Sequence, residues 1–230
     1  MNACEVLDVL NASVEVDKEN VDRLVRHYTK LYQTASDPIT VARAATNLGF
    51  ALTFVPSAIF SELLEYVKTG LNGLTNTVER ARVHFELGQL FTRTRKNVFY
   101  EQARKHYHVA LTELKQANLK DSSIGASILN GLALLSYLEG RYDEALRLEK
   151  QALLSLFCLP ERPDIWQQRM VIALHTGDVY RKKLFEYDNA QHYYQLALNC
   201  SQHTGNPNDV ILVQESLKSV EDYRSSNNEN

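Results

Sequence analysis

The side chains best suited to chemistry are few and poorly grouped. His106 and His108 form the closest histidine pair. On a helix, residues two apart point in nearly opposite directions, so these two cannot share a metal ion. Two exposed histidines flanking a packed Tyr107 are expected. His175 and Asp178 are three apart and can touch on one helix face, with Tyr180 close by. No serine or cysteine nucleophile stands beside them, so a polar groove or surface contact is expected there, not a hydrolytic site. Cys4, Cys158 and Cys200 are odd in number and lack paired spacing. That argues against a disulfide framework and suits reduced thiols in a cytoplasmic or nuclear compartment. No GxxxxGK[ST] phosphate loop occurs. The run Arg93-Thr94-Arg95-Lys96 has the charge to meet a phosphate or an acidic peptide, although such runs are more often solvated turns. The expectation is a protein with no catalytic residues, no metal and no cofactor.

The elements that carry these residues are helical. Gly and Pro number only 9 and 5 in 230 residues, too few for the many turns of an all-β chain. Leu, Ala, Glu, Gln, Lys and Arg are plentiful and favour helix. The net charge is −3, with a mildly basic middle (41–120) between acidic ends. A nucleic-acid partner is not expected, because the basic charge is not gathered into a stripe. Met1 to Asp8 lacks the basic-then-apolar pattern of a secretory leader. The longest apolar stretch, Leu48–Phe60, is too short to span a bilayer and is broken by Pro56. No membrane partner is expected.

Internal repetition is the main organising signal. Three segments align on small residues: Gly88, Ala103 and Ala110; Ala133, Ala145 and Ala152; Gly177, Ala190 and Ala197. In each, the last two small residues are separated by two helical turns, so they share a face. A small residue midway along one helix opposite a small residue early in the next lets two helices approach closely. The segments therefore predict stacked helical hairpins. Gly140 falls where the first helix of the middle hairpin should stop. Ser36-Asp37-Pro38 reads as a helix start. Val21, Leu24, Val25, Tyr28, Leu31 and Tyr32 recur at helical spacing over 18–34.

The segment Leu129–Leu146, together with Leu87-Gly88-Gln89-Leu90-Phe91 and Gly177-Asp178-Val179-Tyr180, resembles the tetratricopeptide repeat (TPR) family. Its long pitch is similar to the extended repeats of kinesin light chains and of the Leu-Gly-Asn-repeat polarity adaptors. The middle segment departs from the pattern, with Ser136 and Glu149 at aromatic positions. The resemblance implies an all-α fold, a right-handed α-α superhelix of stacked antiparallel hairpins. The expected layout is N-terminal helices in 1–37, a degenerate repeat in 38–78, and clear repeats in 79–118, 122–158 and 164–203. A capping helix in 207–224 and a disordered tail in 225–230 complete it.

The resemblance further implies that the first helix of each hairpin lines a concave groove. Residue by residue, it assigns Arg43 and Phe50, then Arg82, Phe85, Gln89 and Arg93, then Asn130, Leu134 and Tyr137, then Asp178 and Arg181. Gln89 and Asn130 can hydrogen-bond a peptide backbone, and the aromatics can pack its side chains. The arginines favour acidic residues. The expected function is a non-catalytic scaffold or adaptor binding a linear or helical segment, acidic in character, of another protein. Phe85 and Gln89 stand where a chaperone-type carboxylate clamp would place Lys and Asn, so capture of a terminal carboxylate is not implied. Two alternatives remain. One is a structural subunit of a larger complex, given a short likeness to the TPR subunit of the cohesin loader. The other is a regulator that senses a ligand or peptide. Oligomeric state is not legible.

Overall fold

The computed structural model describes residues 18–52, 60–93, 95–120 and 122–228. Ten α-helices are found among them. They are α1 (Lys18–Thr34), α2 (Pro38–Leu52), α3 (Phe60–Gly73), α4 (Thr77–Arg93), α5 (Tyr100–Gln116), α6 (Ser123–Leu138), α7 (Tyr142–Phe157), α8 (Pro163–Val179), α9 (Tyr187–Ser201) and α10 (Pro207–Asn228). No strand occurs among the described residues. Cys4 and the 53–59 part of the apolar stretch lie outside them. Phe50 lies in α2, but its side chain is also outside the described set.

The helix ends follow local chemistry. At the start of α2, Asp37 Oδ2 accepts from the Thr40 amide at 2.8 Å, a side-chain cap that satisfies an orphan N–H. Those hydrogen bonds from Thr40 also hold the Asp37 carboxyl below its usual range. Ser122 caps α6 by accepting from the Gly125 amide, and Pro163 opens α8. Helix α6 stops at Gly140, whose φ is +78°. There Arg141 N–H donates to Ser136 O at 2.8 Å and Gly140 N–H donates to Tyr137 O at 3.0 Å. This pair of bonds closes a helix through a left-handed residue. In the hairpin turns on either side, the left-handed residue is Arg95 (φ 51°) or Phe185 (φ 56°). The last turn of α8 widens into a π-helical turn over Tyr180–Leu184 before Phe185.

Pairs α2–α3, α4–α5, α6–α7 and α8–α9 are hairpins, and each hairpin packs on the next. Helix α1 packs on α2 and extends the stack at one end, and α10 covers α9 at the other. Solenoids need such covered ends. Helix α10 continues through Asn228, into the stretch expected to be a tail.

The core is built where the small residues meet. Ala103, Ala110, Ala133, Ala145, Ala152, Ala190 and Ala197 are all 0% exposed. Gly88 and Gly177 face tyrosine rings: a Cβ on either would lie 2.6 Å from Tyr107 or Tyr194 respectively. Tyr107 also abuts Gly131 of the following hairpin, where a Cβ would stand 2.7 Å away. One ring thus fills the notch between three helices. Leu114, Ile128, Leu135 and Leu156 are fully buried in the same core cluster, each stabilising by about 1.5–3 kcal/mol.

The middle hairpin uses a different pairing. Ala133 carries the Cβ that Gly88 and Gly177 lack, and Glu149 replaces the tyrosine opposite. Glu149 is thus coupled to Ala133 by sterics: a ring opposite that alanine would meet its Cβ, as a Cβ at Gly88 or Gly177 would meet Tyr107 or Tyr194.

Candidate functional site

The four hairpins present two rows of helices. Among the first helices, α2 touches α4, α4 touches α6 and α6 touches α8. The second helices make no comparable contact with one another among the described residues. Rows that converge on one side lie on the inside of a curve. The first helices therefore line the inner, concave side of the stack.

Each candidate has a definite environment. Arg43 on α2 is exposed and forms an ion pair with Glu79 of α4. Arg82 is half-buried one turn before Glu86. Phe85 is half-buried against Tyr107, with ring centres 6.2 Å apart. Gln89 and Asn130 are half-buried, and Gln89 Oε1 and Asn130 Oδ1 have no hydrogen-bond partner. Arg93 is exposed at the end of α4. Leu134 is 41% exposed. Tyr137 packs on Tyr142 at 5.8 Å, with Lys183 Nζ 5.5 Å from its ring centre.

Asp178 and Arg181 converge on the hydroxyl of Tyr194. Tyr194 donates to Asp178 Oδ1 at 2.6 Å and accepts from Arg181 Nε at 3.1 Å. Lys182 adds a 2.7 Å bond to Asp178 Oδ2. Burial, together with Asp178, raises the Tyr194 pKa, so the phenol stays a donor. His175 does not join this network by any hydrogen bond; Asp178 is engaged with Tyr194 and Lys182 instead. Tyr180 is buried and accepts from Lys150 Nζ at 2.8 Å. These residues pin hairpins together, and nothing in them resembles a nucleophile with its base.

The histidine expectation needs correction. His108 is exposed and Tyr107 is buried, but His106 is half-buried and meets His84 of α4, Nδ1 to Nδ1 at 2.9 Å. Phe91 stacks on His106 at 5.6 Å. Two nitrogens this close must share one proton. Burial lowers the pKa of both rings, taking His106 down to about 4. The partner lies across the hairpin, 22 positions away, which no local spacing reveals. No group of three or more His, Cys, Asp or Glu side chains able to hold a metal occurs among the described residues. Cys158 is exposed and Cys200 is buried, both unpaired, and burial raises the Cys200 thiol to about 11.

Sequence reasoning missed three buried charged groups. Glu86 on α4 is 1% exposed, and neither carboxyl oxygen has a partner. Burial raises its pKa to about 8. Glu149 is 3% exposed with Oε2 unpartnered, and burial raises it to about 7. Arg169 is 2% exposed. It donates to Leu156 O at 2.8 Å and Leu159 O at 3.2 Å, closing the end of α7. Its guanidinium lies 4.4 Å from Trp166 and 4.7 Å from Phe157. Gly131 at the α6 position equivalent to Glu86 was a faint signal that this flank of the inner helix is tightly packed.

No protein-family model matches the chain, and no curated protein matches it significantly. Among solved structures, BtubC (BKLC) from P. vanneervenii, a kinesin light chain-like helical-repeat protein, is similar, with a TM-score of 0.74 and 20% sequence identity. The match covers 89% of this chain and 84% of that one. At this identity the likeness is one of fold. The chain thus has an all-α, TPR-like right-handed superhelix of stacked antiparallel hairpins. No helix among the described residues is long and apolar enough to cross a membrane.

Proposed function

We propose that this protein is a non-catalytic interaction scaffold whose inner row of helices holds a linear or helical segment of another protein. One observation carries the reading. Gln89 on α4 and Asn130 on α6 leave side-chain acceptors unpartnered on two neighbouring inner helices. A buried polar atom without a partner costs about 1–3 kcal/mol, and a bound segment that donates to these amides removes that cost. Leu134, 41% exposed between them and Tyr137, offers an apolar contact. The fold shared with BtubC supports a helical-repeat interaction role.

The expectation of an acidic partner rests on Arg43, Arg82, Arg93 and Arg181. Arg43 pairs with Glu79, and Arg181 with Asp178 and Tyr194. An acidic segment would have to compete with those contacts.

The test is selection of displayed random 12-residue peptides on the immobilised full chain, followed by the Gln89→Ala/Asn130→Ala double variant. Selected peptides should lose at least about tenfold in affinity for the variant, the worth of one or two hydrogen bonds. Its helical circular dichroism should be unchanged. Equal binding by the variant refutes the groove. If binding instead falls with Arg95→Glu/Lys96→Glu, the exposed turn edge is the contact and the structural-subunit reading replaces this one.

A further inference from the structure

Two aromatic side chains form an open cleft at the α6–α7 turn. Tyr137, in the last turn of α6, and Tyr142, the first residue of α7, are half-buried. Their ring centres are 5.8 Å apart and their planes are tilted by 56°. A cation stands at the mouth of this cleft. Lys183 Nζ, from the next hairpin, lies 5.5 Å from the centre of the Tyr137 ring and 5.9 Å from that of Tyr142. Lys183 belongs to the π-helical turn Tyr180–Leu184, a distortion found frequently at functional positions. Its side chain is exposed, so it can swing away without unpacking the core.

The distances suit a larger head than Lys183 carries. An ammonium is compact and strongly hydrated, and here it stands off from both rings. A methyl carbon reaches about 1.5 Å beyond its nitrogen, so a methylated nitrogen at the same point would bring carbon to about 4 Å from each ring centre, close to the best separation for dispersion. Aromatic walls of this kind recognise quaternary ammonium groups. The charged neighbours do not oppose a cation. Arg141 is held by Glu139 and Glu144, Lys182 is bonded to Asp178, and Asp143 stands exposed in the first turn of α7.

We propose that the Tyr137–Tyr142 cleft binds a methylated ammonium group, as carried by a trimethyllysine side chain of a partner protein. Lys183 closes the cleft until that group displaces it. The site is separate from the Gln89 and Asn130 amides and stands or falls without them.

The experiment follows the tyrosine ring resonances of the full chain, those of the cleft being assigned with Tyr137→Phe and Tyr142→Phe. The titrants are acetylated trimethyllysine amide, acetylated lysine amide and choline. The trimethyllysine amide should shift both rings and bind at least about tenfold more tightly than the lysine amide. Lys183→Met removes the tethered competitor and should tighten binding by about threefold or more. Tyr137→Leu/Tyr142→Leu should abolish it, with helical circular dichroism unchanged. Choline binding more tightly than the trimethyllysine amide would keep the site and overturn the protein side chain as its source. Equal binding of the methylated and unmethylated amides, or no gain from Lys183→Met, overturns the proposal.

Discussion

Gly88→Ala gives the sharpest test of how the stack is held together, because two physical effects predict opposite signs. On helix propensity alone the change stabilises α4 by about 0.8–1 kcal/mol. The structure predicts otherwise. The new methyl would stand 2.6 Å from Tyr107 Cδ1 and Cε1 and 2.9 Å from Cζ, closer than a carbon–carbon contact of about 3.5 Å allows. The ring cannot retreat, since its other side already fills the notch at Gly131, where a Cβ would be only 2.7 Å away. Overpacking of this kind costs about 1–3 kcal/mol, more when both neighbours are fixed. A net destabilisation of about 1–2 kcal/mol is expected. Urea unfolding followed by circular dichroism should show the midpoint falling, with an unchanged m-value. The double variant Gly88→Ala/Tyr107→Leu should be more stable than the sum of the two single changes predicts, by about 1 kcal/mol or more. A Gly88→Ala protein that is as stable as wild type, or more so, would sink the notch argument for all the hairpins.

Two further outcomes follow from the buried carboxyls and the turns. Glu149 is an acid whose pKa is raised from 4.5 to about 7 in the folded chain. The folded state therefore holds a proton that the unfolded state has released, and stability should fall by about 3 kcal/mol as pH rises across that window. Glu149→Gln should flatten that part of the pH profile and be more stable than wild type at pH 8, with no advantage at pH 4. Phe185→Gly should stabilise by about 1 kcal/mol because a left-handed residue with a side chain is strained. Gly140→Ala, at φ +78° with open space around it, should destabilise by a similar amount. Thermal melts compare the pair directly.

The fold was legible because its cause is local and repeated. Gly88, Ala133, Gly177 and their alanine mates share one phase, and that phase survives any detail of the turns. Gly140 and Asp37 announced helix ends because each satisfies orphan groups within a few residues. The groove's chemistry was less legible, because pairing spans hairpins. Arg43 and Glu79 lie 36 positions apart, so the arginine looked available to a partner. His84 and His106 are joined across a turn of variable length. Glu86 was hidden for a different reason: a charged residue on an amphipathic helix is ordinarily solvated, and only the packing of α4 among its neighbours buries it. Ser136 and Glu149 were noticed as departures from the repeat pattern, but the steric rule that couples Glu149 to Ala133 emerges only when the tyrosine rings of the flanking hairpins are seen against glycine.

That rule leaves the solenoid with unequal joints. Tyr107 locks one junction like a keystone, and the phenol of Tyr194 is bolted to Asp178 and Arg181. Between them, the α7–α8 junction has no ring wedge; it is held by Arg169 on Leu156 O and Leu159 O and by Lys150 on Tyr180, and it encloses a carboxyl that favours separation once it ionises. Raising the pH therefore loads the stack at this one seam, where a buried side chain must give up its proton among packed neighbours.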